Sequence, residues 1–229
     1  EMSASLVGSE MCIRDSSLNA RDTYEEMYQK YRYDRFFDSF EHYYSLYQNH
    51  NLELWAEYAD GKVTKDELNR QRYLYPLEAV GAGDSVLAKA YEKDSLSVIP
   101  TKGRLMPHVH EVLEYLSPKY NLYILSNGFK ELQVHKMRSS GIDKYFKKVV
   151  LSDDIGILKP WPEIFHFALS ATQSQLNESL MIGDSWENDI VGAAGVGMHQ
   201  VFYNLSGRVD LPFTPTYQIA DLKELLDLL

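Results

Sequence analysis

The chain has few of the features that mark secreted or membrane-spanning proteins. Its 229 residues include a single cysteine, Cys12, so no internal disulfide can form and a reducing compartment is favoured. No apolar run reaches the roughly 18 residues that a membrane span needs. Residues 1–16 lack the basic opening and apolar stretch of a signal peptide. We therefore expect a cytoplasmic protein with no membrane partner.

Positive charge is also scarce. The sequence has 23 Lys and Arg against 33 Asp and Glu, a formal net charge of −10. Binding to a nucleic-acid backbone needs a basic face, so no nucleic-acid partner is expected. A small anionic ligand remains compatible, because a local pocket can be positive on an acidic protein. At 45% hydrophobic and 13% aromatic residues the chain can bury a core, which excludes disorder.

The first part of the chain has a helical pattern. Residues 17–97 are rich in aromatic and charged residues, and Tyr24, Met27, Tyr28 and Tyr31 follow the i, i+3, i+4, i+7 spacing of one helix face. The sequence from Thr64 to Glu67 predicts a capping box for a helix that begins at Lys65. Residues 17–97 are therefore predicted to form a helical cap domain of about four or five helices.

The second part, residues 98–229, alternates short apolar runs with amphipathic segments. Strands are predicted at 122–125, 148–151, 180–182 and 199–203, and helices at 109–116, 129–140, 162–171 and 188–194. This alternation is typical of an α/β fold with a doubly wound parallel sheet. In such sheets the ligand lies beyond the carboxyl ends of the strands, so the polar residues at those ends are the candidate site.

Polar residues follow three of the predicted strands. They are Ser126, Asn127 and Gly128 after the first, Lys159 eight residues after the second, and Asp184 with Asp189 after the third. Taken singly, these are a turn, a solvated lysine and a helix cap. Taken together, a hydroxyl and amides at a helix start suit phosphate oxygens, the lysine suits phosphoryl charge, and the two acids suit Mg²⁺.

These segments resemble the second, third and fourth motifs of the haloacid dehalogenase (HAD) superfamily. The matching stretches are 122–128, 156–160 and 182–189, and the resemblance runs from about residue 21 to the end. It implies a Rossmann-like core with an inserted helical cap. The tyrosine-rich cap, with its sequence Gly-Lys-Val-Thr at 61–64, resembles the bacterial pyrimidine 5′-nucleotidase branch. That likeness implies a Mg²⁺-dependent phosphatase of nucleoside monophosphates.

The resemblance also implies a role for each site residue. Ser126 would hold the phosphoryl group with the amides of Asn127 and Gly128. Lys159 would orient the nucleophile and stabilise the transferring phosphate. In the metal site, Asp184 would ligate Mg²⁺ directly. Asp189 would bind a water molecule of the ion or would support the residues that ligate it.

The family's first motif, an apolar strand that ends in Asp-x-Asp, is not found. In the family the first aspartate attacks phosphorus and the second serves as acid and base. Before Arg21 the only acids are Glu1, Glu10 and Asp15, and none follows an apolar run of four. Residues 1–16 are thus an anomalous segment in place of the first core strand, with no such strand expected there. The chain as written is expected to be inactive.

Several interpretations stay open at this stage. Residues 1–16 resemble translated adapter or read-through sequence joined to a truncated gene, but a true pseudoenzyme and an enzyme that uses Glu10 are alternatives. The reaction could be that of a sugar-phosphate or phosphoglycolate-type phosphatase, or of a haloacid dehalogenase. The chain could also be a non-catalytic module that binds a small phosphomonoester and metal. Monomer and homodimer are both compatible with the sequence.

Overall fold

The computed structural model describes residues 4–9 and 16–229. The chain divides into two compact units. One is the helical unit, Ser17–Lys102, which contains the predicted cap. The other, the α/β unit, comprises Gly103–Leu229 together with the described residues that precede Ser17. No helix within the described residues is long and apolar enough to cross a membrane.

The α/β unit is built on a parallel sheet, as the sequence predicts. The six strands are β1 (Ser5–Gly8), β2 (Asn121–Ser126), β3 (Lys148–Leu151), β4 (Ser179–Gly183), β5 (His199–Tyr203) and β6 (Tyr217–Ile219). Their order across the sheet is β3-β2-β1-β4-β5-β6, and every neighbouring pair is parallel. The strand order reverses beside β1, where doubly wound sheets bind ligands.

The helices lie between and after these strands along the chain. The helical unit contains α1 (Ser16–Lys30, which begins one residue before it), α2 (Phe40–Ala59), α3 (Lys65–Ala79) and α4 (Ser85–Val98). The α/β unit contains α5 (Val109–Leu116), α6 (Lys130–Ser139), α7 (Pro162–Thr172), α8 (Gly192–Gly195) and α9 (Leu225–Leu228). The capping box of α3 is present as predicted: the Glu67 amide donates to Thr64 Oγ1, and the Thr64 amide donates to the Glu67 carboxylate.

The strand β1 corrects the expectation that no core strand precedes residue 17. Ser5–Gly8 pairs with β2 on one side and β4 on the other, so it occupies the centre of the sheet. Its ladder needs only backbone groups, which any sequence supplies, and two large side chains are enough to anchor it. Leu6 packs into the core on one face of the sheet and Val7 into the core on the other. Both are 4% exposed.

The aromatic residues of the helical unit form its core. Buried tyrosines from all four helices pack together, with ring centroids 4.6 to 6.4 Å apart in the contacts of Tyr24 alone. Tyr33, Tyr43 and Tyr91 are completely buried. Most of the tyrosine-rich pattern is therefore explained by packing of the helices against one another.

Candidate functional site

The first part of the site is the turn that follows β2. The Ser126 hydroxyl oxygen accepts hydrogen bonds from the Gly128 amide at 3.0 Å and from Gln133 Nε2 at 3.2 Å. A serine oxygen has two lone pairs and one hydrogen, so these two bonds leave the hydroxyl hydrogen to donate. Ser126 is 7% exposed. The turn therefore presents one oriented O–H donor at the carboxyl end of a strand, which suits a phosphate oxygen.

A glycine is required at position 128, two residues after Ser126. A Cβ at Gly128 would lie 1.9 Å from Gln133 Nε2 and 3.2 Å from Ser126 Oγ. Because the Gly128 amide donates to the Ser126 oxygen, its first role is to support the serine, whereas the resemblance implied a direct bond to phosphate. Gln133 is the supporting residue that sequence reasoning missed. The feature that could have identified Gln133 is a polar residue on the buried face of α6, since this side chain is only 2% exposed.

Lys159 is held against the end of β2 by its backbone and its side chain. Asn127 makes a reciprocal pair with the lysine backbone: Lys159 N–H donates to Asn127 Oδ1 at 2.7 Å, and Asn127 Nδ2 donates to Lys159 O at 3.0 Å. The ammonium group turns inward and donates to the Leu125 carbonyl at 2.9 Å. Asn127 thus has a structural role, because it fixes the loop that carries the lysine.

The lysine ammonium forms a buried ion pair with Asp189. Lys159 Nζ lies 2.5 Å from Asp189 Oδ1, and the two side chains are 4% and 1% exposed. The other carboxylate oxygen accepts the Ser185 amide at 3.1 Å. Both oxygens of Asp189 therefore have protein partners, and this acid is the counter-ion of the lysine. Each carboxylate oxygen keeps a second lone pair, which a metal or its water could still use.

The backbone after β4 folds Asp189 back onto the lysine. Ser185 begins the segment by accepting the Asn188 amide at its hydroxyl, and Trp186–Val191 forms a π-helical turn. Such turns are often found at functional sites, because the extra residue changes the direction of side chains. Gly183 permits the close approach: a Cβ there would lie 2.3 Å from the Cβ of Asp189.

Asp184 lies on the other side of β1 from Ser126. Ser126 ends β2 and Asp184 follows β4, and these strands are the two neighbours of β1. Two strand spacings put them about 10 Å apart at the same edge of the sheet. Asp184 is half-buried. This spacing leaves room for a phosphoryl group above the end of β1.

Ser9 is the residue that directly follows β1. It is 5% exposed, and its amide donates to the Ile182 carbonyl of β4 at 2.8 Å. The central position among the strand ends is thus taken by a serine, whose side chain carries no negative charge. Glu10 and Asp15, which the sequence analysis considered, lie outside the described residues.

The donor set can be tested against Mg²⁺. This ion usually keeps several waters and is held by one or two carboxylates together with substrate phosphates. Asp184 offers one half-buried carboxylate at the strand end. Among residues 4–9 and 16–229 there is no group of three or more His, Cys, Asp and Glu side chains that could hold a metal. The residues therefore fit an ion that substrate oxygens and water complete.

Comparison with known proteins gives the family of the chain. A family profile of haloacid dehalogenase-like hydrolases matches residues 13–197. The chain is 29% identical to the HAD-hydrolase YfnB of Bacillus subtilis over 187 residues, which is 80% of this chain and 78% of that protein. It is also 29% identical to the pyrimidine 5′-nucleotidase YjjG of Escherichia coli, over 80% of each chain.

Solved structures show the same fold. A crystal structure of YfnB from B. subtilis, described as bound to magnesium, superposes with a TM-score of 0.88 at 24% identity, covering 100% of this chain and 99% of the other. The L-2-haloacid dehalogenase of Xanthobacter autotrophicus gives a TM-score of 0.71 at 17% identity, with 100% and 98% covered. The sheet, the strand-end residues and the profile match agree: the chain belongs to the haloacid dehalogenase-like hydrolase family.

Proposed function

We propose that the α/β unit binds the phosphate of a nucleoside monophosphate together with Mg²⁺, and that the chain as written does not hydrolyse it. The observation that carries this proposal is the hydrogen-bonded series Asn127–Lys159–Asp189–Ser185. It joins the segments that follow β2, β3 and β4, beside the end of β1 where a phosphate would lie. The relatives named pyrimidine 5′-nucleotidase support the choice of a nucleotide.

Each residue has a defined part in binding. Ser126 donates its hydroxyl hydrogen to one phosphate oxygen, since its two lone pairs are already used. Lys159 contributes positive charge in a buried position, where the interaction with an anion is stronger than in water. Asp184 would hold Mg²⁺, which, when bound, would neutralise part of the phosphate charge.

The expected lack of hydrolysis follows from the residue types at the end of β1. A phospho-enzyme intermediate requires an attacking group at the central strand end, and an aspartate does this in the family that the chain resembles. Here that position holds Ser9, and the residue two further on, at the second acid of Asp-x-Asp, is Met11. A serine hydroxyl is a weak nucleophile unless an adjacent base removes its proton.

The experiment restores the two acids and measures phosphate release. Ser9→Asp combined with Met11→Asp should hydrolyse UMP, dUMP or dTMP in the presence of Mg²⁺. The isosteric pair Ser9→Asn with Met11→Asn is the matched control and should stay at background. A preference of the restored chain for a sugar phosphate would contradict the nucleotide assignment. Phosphate release by the unmodified chain would contradict the proposal that it is inactive.

Binding is measured separately by calorimetry on the unmodified chain. Inorganic phosphate and UMP should bind more tightly with Mg²⁺ than in EDTA, because an ion held by Asp184 would offset part of the phosphate charge. Lys159→Met should abolish phosphate binding. Dehalogenation of a 2-haloacid that persists in EDTA would favour the dehalogenase alternative and reject the phosphate site.

A further inference from the structure

A cavity of the α/β unit lies at the amino ends of the strands, away from the strand ends described above. It is lined by the first residue of each of the neighbouring strands β1, β4, β5 and β6, which are Ser5, Ser179, His199 and Tyr217. Its volume of about 270 Å³ is close to the lower end of the roughly 300–1,000 Å³ range of small-molecule sites. The five residues of β4 put it about 16 Å from Asp184. A ligand bound here would therefore not touch the proposed phosphate site.

Glu178, which directly precedes β4, lines this cavity and has a carboxylate oxygen without a partner. Its Oε2 atom is buried and accepts no hydrogen bond from any described residue. Glu178 also forms no ion pair within the described part of the chain. Burying a carboxylate oxygen costs free energy unless a donor reaches it. An ionised carboxylate only accepts hydrogen bonds, so a ligand that stabilises this oxygen must present a donor.

The buried hydroxyl groups around the cavity already have partners within the protein. Ser5 Oγ lies 2.8 Å from Ser174 Oγ, and Ser179 Oγ donates to the Gln175 carbonyl at 2.7 Å. Of the described side chains that line the cavity, Glu178 alone has a buried polar atom without a hydrogen bond. The feature that distinguishes the cavity is thus a single negative charge, which selects a positively charged ligand.

The lining of the cavity favours an organic cation over a metal ion. Besides Glu178, the only His, Cys, Asp or Glu side chain among the described lining residues is His199. No group of three such side chains that could hold a metal occurs in residues 4–9 and 16–229. Leu6 contributes an apolar side chain, and Tyr120 and Tyr217 contribute aromatic ones. Aromatic ring faces attract organic cations, and an apolar wall suits the hydrocarbon part of such a ligand.

We propose that this cavity binds an organic ammonium ion with a small apolar body, with Glu178 as its anionic group and Tyr217 as an aromatic wall. The ammonium group donates to Glu178 Oε2, and the apolar body lies against the leucines of β1 and β4, Leu6 and Leu180. The net charge of −10 also raises the concentration of cations near the surface of the protein. This site is separate from the proposed function, because it lies at the opposite ends of the strands.

The experiment titrates benzylamine and benzyl alcohol into the full chain by calorimetry. The two probes share the same ring and differ in having an ammonium or a hydroxyl group. Benzylamine should bind at least 10-fold more tightly, because a hydrogen bond between two charged groups is stronger than one from a neutral donor. Equal affinity of the two probes would overturn the proposal. So would the lack of benzylamine binding at concentrations up to about 10 mM.

Three variants assign the binding to this cavity. Glu178→Gln keeps the shape of the side chain, removes its charge and should weaken benzylamine at least 10-fold. Glu163→Gln is the matched control: Glu163 is exposed on α7, does not line the cavity and should leave the affinity unchanged. Tyr217→Leu should weaken benzylamine by about 2- to 5-fold, and it keeps the test available if Glu178→Gln fails to fold. Benzylamine affinity unaffected by Glu178→Gln would reject the site.

Phosphate binding separates this inference from the proposed function. Glu178→Gln should leave the affinity for inorganic phosphate with Mg²⁺ within about twofold, whereas Lys159→Met should lose phosphate and retain benzylamine. Loss of phosphate binding in Glu178→Gln would contradict the separation of the two sites. Binding of Zn²⁺ that displaces benzylamine, and that is lost in Glu178→Gln, would show that the cavity takes a metal ion and would overturn the assignment to an organic cation.

Discussion

The buried pair of Lys159 and Asp189 gives a prediction whose size can be worked out from the structure. Its two charges lie 2.5 Å apart at 4% and 1% exposure, and each also has a backbone partner. Removing one member leaves the other charge buried without its counter-ion, which costs about 3–5 kcal/mol. A domain of this kind has about 5–15 kcal/mol in total. Asp189→Leu should therefore remove a large part of the free energy of unfolding.

Urea denaturation followed by circular dichroism measures this cost, with the slope of the transition as the check on two-state unfolding. Lys159→Met should also destabilise by about 3–5 kcal/mol. The double variant Lys159→Met with Asp189→Leu should be more stable than the sum of the single changes, by about 2 kcal/mol or more, since apolar residues can replace a buried pair. A coupling energy below about 1 kcal/mol would refute the reasoning, because an exposed pair is worth that much.

Three further changes probe other parts of the structure. Gly183→Ala should abolish phosphate binding in calorimetry, because its methyl group would displace the buried aspartate from the lysine, whereas Gly195→Ala, with nothing within 4 Å of its Cβ, should leave binding intact. Thr64→Ala should cost about 1 kcal/mol in urea denaturation. Backbone and side-chain hydrogen bonds from Thr64 lower the pKa of Glu67. The contribution of this carboxylate to the stability of the fold should therefore be present above its ordinary pKa and be lost as the pH falls through the lowered pKa. Gly8→Val should raise the melting temperature, because it fills an apolar cavity of about 40 Å³, worth about 1 kcal/mol; a fall in melting temperature would contradict that packing.

Much of the fold could be predicted from the sequence because its elements are long or well bounded. The strands at 148–151 and 199–203 and the helix at 109–116 have the predicted bounds. The capping box fixed the start of α3, and Gly141, with a φ of +67°, follows the end of α6. Each of these elements has a strong local signal, either an apolar run between turn residues or a side chain that satisfies the free amides of a helix start.

The missed elements lack such a local signal. The strand Ser5–Gly8 has two large apolar side chains between a serine and a glycine, and Tyr217–Ile219 has three residues. Both are held by pairing with neighbouring strands far away in the sequence, which a pattern within one segment does not show. The helix predicted at 188–194 is instead a π-helical turn followed by a short α-helix.

The same distinction applies to the candidate site. The residue types at the strand ends could be read from the sequence, but the role of each residue could not. Three-dimensional contacts show that Asp189 is the partner of Lys159, that Asn127 fixes the lysine backbone, and that the Gly128 amide supports Ser126. The first two roles depend on hydrogen bonds between residues 30 and 32 positions apart. The third joins residues only two positions apart, but it depends on the conformation of the turn.

The most direct test of the phosphate site is a crystal structure of the unmodified chain grown with MgCl₂ and inorganic phosphate. The phosphate should lie at the carboxyl ends of β1, β2 and β4, with one oxygen within about 3 Å of the Ser126 hydroxyl and the ion beside Asp184. Phosphate found only away from these strand ends, with Ser126 and Lys159 making no contact to it, would contradict the account.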